Sequence, residues 1–340
     1  MGWHLIEWLD RAAPPTVVWK DGAARQWAQL GLIERRDGIC KADLERLVDA
    51  ALRLPADRFQ DRELTPLLSS RINGRQGPRN LQVHHVVGPD EMVVGLLLWI
   101  GRIDEPVTAR PRAAGVRFHP ESRRMETGAD GWMLHASNLD RMGNARPADS
   151  LVNRVVYVPH VGELVDLCAS RAPVITDLQT EVSLVHEDLR LVNVAAAVRR
   201  RGNQVWWIGM DITRWSPPPT SPELALRLSG LPSPAARGIL TFRDDPESVP
   251  SVLFWVSEPP QWTAYWSEGS PQPDGLGTLL HREDRAALLE ARDRIDSGIV
   301  SVATTVRVRR RDQGWQTVEA TLSRFPSVNP NVFIIEITGD

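Results

Sequence analysis

The chain has 340 residues, of which 42% are hydrophobic and 24% are charged, and its net charge is −3. These values are ordinary for a globular protein of two or three domains, and they exclude a whole-chain attraction to nucleic acid or to anionic lipid. No apolar run approaches the roughly 18 residues that a membrane-spanning helix needs, so we expect no membrane partner. The first residues carry no secretory signal pattern, and we expect a cytoplasmic protein.

The first hundred residues predict two strands at 3–9 and 16–19, one helix and one hairpin. The helix at 41–54 is amphipathic, with Leu44, Val48 and Ala51 on one stripe, and Pro55 ends it. Residues 56–80 are polar and arginine-rich and predict loops, with room for one short helix. Residues 81–87 and 93–100 flank a turn and predict a hairpin. We predict a first domain at 1–104.

Residues 105–112 are proline-rich and predict a linker into a middle domain at 105–215. Short hairpin strands are predicted between 114 and 135, a helix at 161–170, and two strands at 188–198 and 205–213. The clearest boundary is the run from Ser216 to Pro222, because consecutive prolines exclude a helix or a central strand. We therefore predict a linker at 216–234.

The C-terminal domain, predicted at 235–340, has the clearest periodicity. After two strands at 238–242 and 252–256, a helix from His281 places Leu288, Ala291 and Ile295 at helical spacing, and Gly298 ends it. Residues 301–310 and 315–325 predict two strands, the first alternating strictly. Residues 332–338 are apolar on both faces, which predicts a central strand.

This C-terminal block resembles the second half of a PAS domain. The resemblance rests on the helix that opens at His281-Arg282-Glu283-Asp284-Arg285, on the three-strand meander, and on the ending Glu336-Ile337-Thr338. The middle block ends in a similar way, at Asp211-Ile212-Thr213, and we interpret the two blocks as a divergent repeat. The run from Val94 to Gly101 resembles a late strand of GAF domains.

Together these features resemble a family of sensor-only proteins with one GAF-like and two PAS-like domains. The resemblance implies an α+β fold of three tandem PAS/GAF-type domains, each an antiparallel sheet with helices packed on it. It leaves open which domain is the GAF member. It also implies a signalling scaffold without an effector domain, which integrates small-molecule or protein signals and binds signalling proteins. The alternatives are a single-ligand small-molecule-binding protein and an enzyme with an unrecognised site.

We expect no enzymatic activity, because no HExxH, Walker, GxGxxG or GxSxG motif occurs. No cofactor or metal signature is visible, so we expect neither. The sequence leaves homodimerisation open.

The only candidate ligand-binding residues are the aromatic side chains Trp255, Trp262, Tyr265 and Trp266, which fall within twelve positions. They could line a small-molecule pocket or anchor a protein interface. Core packing is the interpretation that we favour, because burial of such rings is stabilising without any ligand.

The histidines, cysteines and arginine clusters suggest no chemistry. His186-Glu187-Asp188 resembles a kinase phosphoacceptor box but runs directly into a strand. Adjacent His84 and His85 point to opposite faces of a strand and cannot hold one metal together. The candidate haem ligands are four isolated histidines: His119, His135, His160 and His281. Two cysteines without CxxC spacing predict buried thiols, and the surroundings of Cys168 are unlike those of flavin-binding light sensors. The arginine turns at 199–201 and 309–311 could dock an acidic partner, although we favour solvated hairpin tips.

Overall fold

The computed structural model describes residues 2–55, 66–74, 77–120, 122, 124–128, 131, 134, 146–147, 154–169, 173, 175–186, 190–218, 235–242, 250–255, 262–263, 279–310, 314–325 and 330–338. Over these residues the fold is α+β, with three sheets in which each recorded strand pair is antiparallel. This confirms the coarse fold class that the sequence predicts.

The N-terminal sheet has the strand order β3-β2-β1-β6-β5-β4. Its elements are β1 (Gly2–Glu7), β2 (Thr16–Lys20), β3 (Ala23–Gln29), α1 (Gly31–Asp37), α2 (Lys41–Arg53), β4 (Leu68–Gly74), β5 (Gly77–Val87) and β6 (Val93–Arg102). Both helices pack on one face, where Ile33 of α1 and Leu44 and Val48 of α2 join side chains of β1, β5 and β6 in one core.

The middle sheet has the order β10-β11-β12-β13-β7-β8-β9. Its elements are β7 (Ala113–His119), β8 (Arg124–Thr127), β9 (Arg146–Pro147), β10 (Val155–Tyr157), α3 (Val161–Ala169), β11 (Asp177–Val185), β12 (Leu191–Arg201) and β13 (Gln204–Asp211). Helix α3 covers one face, where Val165 and Leu167 pack beside Val198 and Val205.

The C-terminal sheet has the order β15-β14-β18-β17-β16. Its elements are β14 (Ala235–Thr241), β15 (Ser251–Trp255), α4 (Arg285–Asp296), β16 (Ser301–Arg309), β17 (Trp315–Arg324) and β18 (Val332–Thr338). Strand β18 lies in the centre of the sheet, as its two apolar faces predict. The buried residues of α4, Leu288, Ala291 and Ile295, are the three that the helical spacing indicates.

The three sheets share one strand order. In each sheet the first strand lies between the second strand and the last strand, and the last three strands form an antiparallel meander. This order applies to β1, β2 and β4–β6, to β7, β8 and β11–β13, and to β14–β18. Strands β3, β9 and β10 extend the first two sheets at their edges.

Each sheet also contacts a neighbouring sheet. Ile239, Phe325 and Val332 on the outer face of the C-terminal sheet join Val165 and Leu167 of α3 in one apolar cluster. The other face of the C-terminal sheet has its own core beneath α4. Residues 216–218 of the predicted proline linker are described, and the rest of that linker lies outside the described residues. None of the described helices is long and apolar enough to cross a bilayer.

The sequence patterns do not predict several edge strands and short elements of the structure. Strand β4 and most of β11 lie in segments for which the sequence predicts no strand, and β3 and α1 follow a turn without clear periodicity. Strand β3 is mostly exposed and α1 has only seven residues, so neither leaves a sustained burial pattern. The strand predicted at 132–135 is described only at Leu134, which is a turn residue.

Candidate functional site between the first two sheets

The face of the N-terminal sheet opposite its helices carries large apolar side chains. In β1, Ile6 points toward α1 and α2, so period-two alternation directs Trp3 and Leu5 to the other face. Trp99 of β6 lies directly opposite Trp3 in the strand register and is fully buried with it. A sheet face of this composition must be covered.

The middle sheet covers that face. One apolar cluster joins the two sheets, and we call it the tryptophan interface. Its buried tryptophans are Trp3, Trp19, Trp99 and Trp206, and the partly buried Trp27 and Trp215 pack against them. Small residues of β12, Ala195 and Ala197, leave room for these rings.

Glycines bring the two sheets into close contact at one end of this interface. A Cβ placed on Gly115 of β7 would lie 2.5 Å from Val94 Cγ2 and 2.9 Å from the Cα of Gly88. The second contact is to backbone, which cannot rotate away as a side chain can. Gly115 therefore sets the separation between β7 and the β5–β6 turn.

A buried ion pair also crosses the interface, at Glu7 of β1, which lies opposite Gly95 of β6 in the strand register. The Glu7 carboxylate accepts hydrogen bonds from Arg199 Nη2 at 2.6 Å, from Thr16 Oγ1 at 2.6 Å and from the Leu9 amide at 2.9 Å. The side chains of Glu7 and Arg199 are 3% and 12% exposed. Arg199 also bonds Asp177 at 2.8 Å, and its guanidinium lies 3.9 Å from the ring centroid of Trp27.

These contacts correct the interpretation of residues 199–201 as a solvated hairpin tip. Arg200 is buried and donates to the Leu167 carbonyl of α3 at 2.6 Å, while Arg201 lies 3.3 Å from Asp10. The acidic groups that these arginines bind belong to the same chain. The sequence predicts basic character at this turn, but it gives no sign that the first sheet supplies the acids.

The predicted linker at 105–112 is fixed against the same face. The Trp3 indole donates to Thr108, and Arg110 Nη1 donates to His84 Nδ1 at 3.1 Å. The His84 ring also contacts Trp3, with centroids 5.7 Å apart. Burial, followed by the positive charges of Arg110 and His85, lowers the pKa of His84 to about 4. His84 is therefore neutral at pH 7, and its Nδ1 accepts a hydrogen bond from the Arg110 guanidinium.

A second buried polar cluster lies on the helix side of the N-terminal sheet. Lys20 Nζ donates to both oxygens of Asp37 at 2.8 and 2.9 Å, and His4 Nε2 lies 3.4 Å from Asp37 Oδ2. Burial favours a raised pKa for Asp37, but the hydrogen bonds from His4 and Lys20 outweigh it and lower the pKa to about 2. Burial lowers the pKa of His4. The cluster joins the end of α1 to β1 and β2.

The aromatic candidates are only partly described. The side chain of Trp255 is buried in the core under α4, and Trp262 packs against that core. Tyr265 and Trp266 lie outside the described residues. Trp255 and Trp262 thus share one apolar cluster.

Three of the histidines that the sequence offers as candidate haem ligands lie next to a glutamate. His119 Nε2 lies 3.0 Å from Glu126, His160 lies 3.6 Å from Glu163, and His281 accepts a hydrogen bond from the Glu283 amide. His135 lies outside the described residues. Over the described part of the chain, no group of three or more histidine, cysteine or acidic side chains could hold a metal ion.

The cysteines differ from each other. Cys168 is a buried thiol, as predicted, and burial raises its pKa to about 12. Cys40 is exposed, so the prediction of two buried thiols is wrong for this residue. It precedes α2 directly, at a helix end where local patterns do not report burial.

No family model and no curated protein matches this chain. Among solved structures, the chain is similar to a crystal structure of an uncharacterized protein from Mycobacterium tuberculosis. The TM-score is 0.67 at 13% sequence identity, over 99% of this chain and 94% of that chain. This likeness concerns the fold alone. A second solved structure, an RNA-binding Light-Oxygen-Voltage receptor, aligns at a TM-score of 0.22 and 11% identity, over 66% of this chain and 92% of that chain.

Proposed function

We propose that this protein is a sensor-domain-only signalling scaffold, built from three tandem PAS/GAF-type units, that passes a small-molecule or protein signal to partner proteins by contact. The observation that carries the proposal is the shared strand order of three successive sheets. A strand order that recurs in three successive sheets is the kind of self-similarity that repeated architecture leaves, and it agrees with the matched endings of the middle and C-terminal blocks.

The tryptophan interface supports a mechanism for this function. Relative motion between units is expected unless the interface is large and apolar, and here the interface is apolar, bordered by ion pairs and closely packed at Gly115. A change in one of the first two units is therefore transmitted to the other. A signal acts on such a device by binding one arrangement more tightly than another, which shifts the population.

Two measurements test the proposal together. Native mass spectrometry of freshly purified protein reports bound ligand, and affinity capture from the native host reports partners. We expect a defined set of signalling proteins to be captured by the wild type and the set to change in Gly115→Val, which forces the first two sheets apart. The matched control is Glu319→Gln on the exposed face of the C-terminal sheet, which leaves capture unchanged.

Three results contradict the proposal. A ligand bound at stoichiometric amounts with no captured partner would favour the small-molecule-binding protein. Turnover of a nucleotide or another substrate by the purified chain would favour an enzyme. Capture of the same partners by wild type and Gly115→Val would show that the coupling of the sheets plays no part in signalling.

A further inference from the structure

Among the strands that the structure describes, β16 lies at an edge of the C-terminal sheet and pairs with β17. On its outer side an isolated bridge joins Val308 to Leu280. The β16–β17 register runs without a bulge from Ser301 to Arg309, so alternate residues of β16 direct their backbone groups away from β17. Arg307 belongs to the outward set, because its N–H donates to Asp284 and its carbonyl accepts from the His281 amide. Arg309 belongs to it as well, since its N–H donates to the Leu279 carbonyl at 2.8 Å.

The same alternation directs three further residues outward, Ser301, Ala303 and Thr305. All three are exposed, and in the described parts of the chain no hydrogen bond is recorded to their outward backbone groups. Half of this edge is thus closed by the chain itself, at Arg307 and Arg309. The other half presents three N–H groups and three carbonyls that a further strand could pair with.

The open half lacks the protections that edge strands usually carry. From Ser301 to Thr305 it contains no charge and no proline, and it is rich in β-branched residues. Two exposed apolar residues precede it: Ile299 is 41% exposed and Val300 is 84% exposed. Three other edge strands differ, since β9 and β10 have only two and three residues and β3 is held to the middle sheet through the Gln26 amide and Gln179.

The open half is self-complementary in one register. We propose that a second copy of this chain pairs with it, antiparallel, about a two-fold axis at Ala303. Ala303 then lies opposite Ala303 of the other copy, and Ser301 lies opposite Thr305 on both sides. This register uses every open backbone group and forms six hydrogen bonds.

The registers shifted by two residues in either direction are less favourable. A shift in one direction places Arg307 in the ladder, where its backbone is already bonded. A shift in the other direction recruits Ile299, whose N–H already donates to the Arg294 carbonyl at 3.3 Å. In the Ala303 register no like charges face each other, and the small side chains at the axis do not clash.

Sedimentation velocity over a range of protein concentrations tests the proposal. We expect the wild type to form a reversible dimer whose fraction rises with concentration, because a short edge pairing buries little surface. Ala303→Pro removes an outward N–H but no bond to β17, so it should retain the fold and weaken dimerisation at least about tenfold. Ala303→Val retains the N–H and should dimerise like the wild type.

A charge swap tests the axis itself without relying on proline. Ala303→Lys and Ala303→Glu should each be monomeric, since residue 303 faces its own copy, and an equimolar mixture should regain a heterodimer. A wild type that stays monomeric at every concentration overturns the proposal. So does dimerisation of Ala303→Pro equal to that of wild type, or a mixture that fails to associate. This inference goes beyond the signalling function proposed above and stands on strand geometry alone.

Discussion

The buried ion pair between Glu7 and Arg199 offers the sharpest test of how the first two sheets are joined. Glu7→Gln leaves an amide that still accepts from Thr16 or Leu9 but no longer matches the guanidinium. Loss of a charged hydrogen bond costs about 1.5–3 kcal/mol, and breaking a buried pair costs about 3–5 kcal/mol. Because Asp177 still neutralises Arg199, we expect Glu7→Gln to lower the free energy of unfolding by about 2 kcal/mol.

Arg199→Met should cost more, about 3 kcal/mol, since it leaves the Glu7 carboxylate buried without a cation and removes the contact with Trp27. In the double variant no buried charge is left unpaired. The two single effects should therefore not add, and the coupling free energy should be about 1.5–3 kcal/mol.

Urea unfolding followed by tryptophan fluorescence measures these values, because the interface contains Trp27 and its neighbours. The matched control is Arg237→Met, whose ion pair with Glu336 is similarly short at 2.7 Å but has side chains 56% and 33% exposed. It should change the free energy of unfolding by less than about 1 kcal/mol. Additivity of the two interface variants within about 0.5 kcal/mol would refute a buried pair that joins the sheets.

Three further variants test other contacts within and between the first two sheets. The pKa of His84 is about 4 in the folded chain and about 6.5 in the unfolded chain, so stability should be full above about pH 6.5 and fall by about 3 kcal/mol as the pH drops to 4. In His84→Gln the urea midpoint should lose this pH dependence. An unchanged pH dependence in the variant would contradict the prediction. Lys20→Met leaves the Asp37 carboxylate buried with His4 as its one partner, so the free energy of unfolding should fall by about 2 kcal/mol. It also removes a positive charge beside His4, so the His4 pKa measured by NMR should rise. An unchanged His4 pKa would argue against the cluster. Gly115→Val overpacks the contact with Gly88 and should lower the free energy of unfolding in urea by about 2–3 kcal/mol. Hydrogen exchange in the β5–β6 turn should become faster. Exchange at the wild-type rate would show that the sheets separate easily.

Sequence patterns predicted the helices and strands in which one face is buried along the length of the element. Helix α2 and strands β16 and β17 each place apolar residues at the period of their own secondary structure. Strand β18 is apolar on both faces, which predicts its central position. The antiparallel α+β class was implied by the resemblance to PAS and GAF domains.

The tertiary structure decided what covers each face. In β1, period-two alternation places Trp3 and Ile6 on opposite faces, but it does not show that helices cover one face and the middle sheet covers the other. Residues 199–201 look like a solvated turn because Glu7, one of the two acids that bind Arg199, lies 192 positions earlier in the chain. Periodicity records that a side chain leaves water, whereas the identity of its partner depends on contacts between distant segments, which local patterns do not encode.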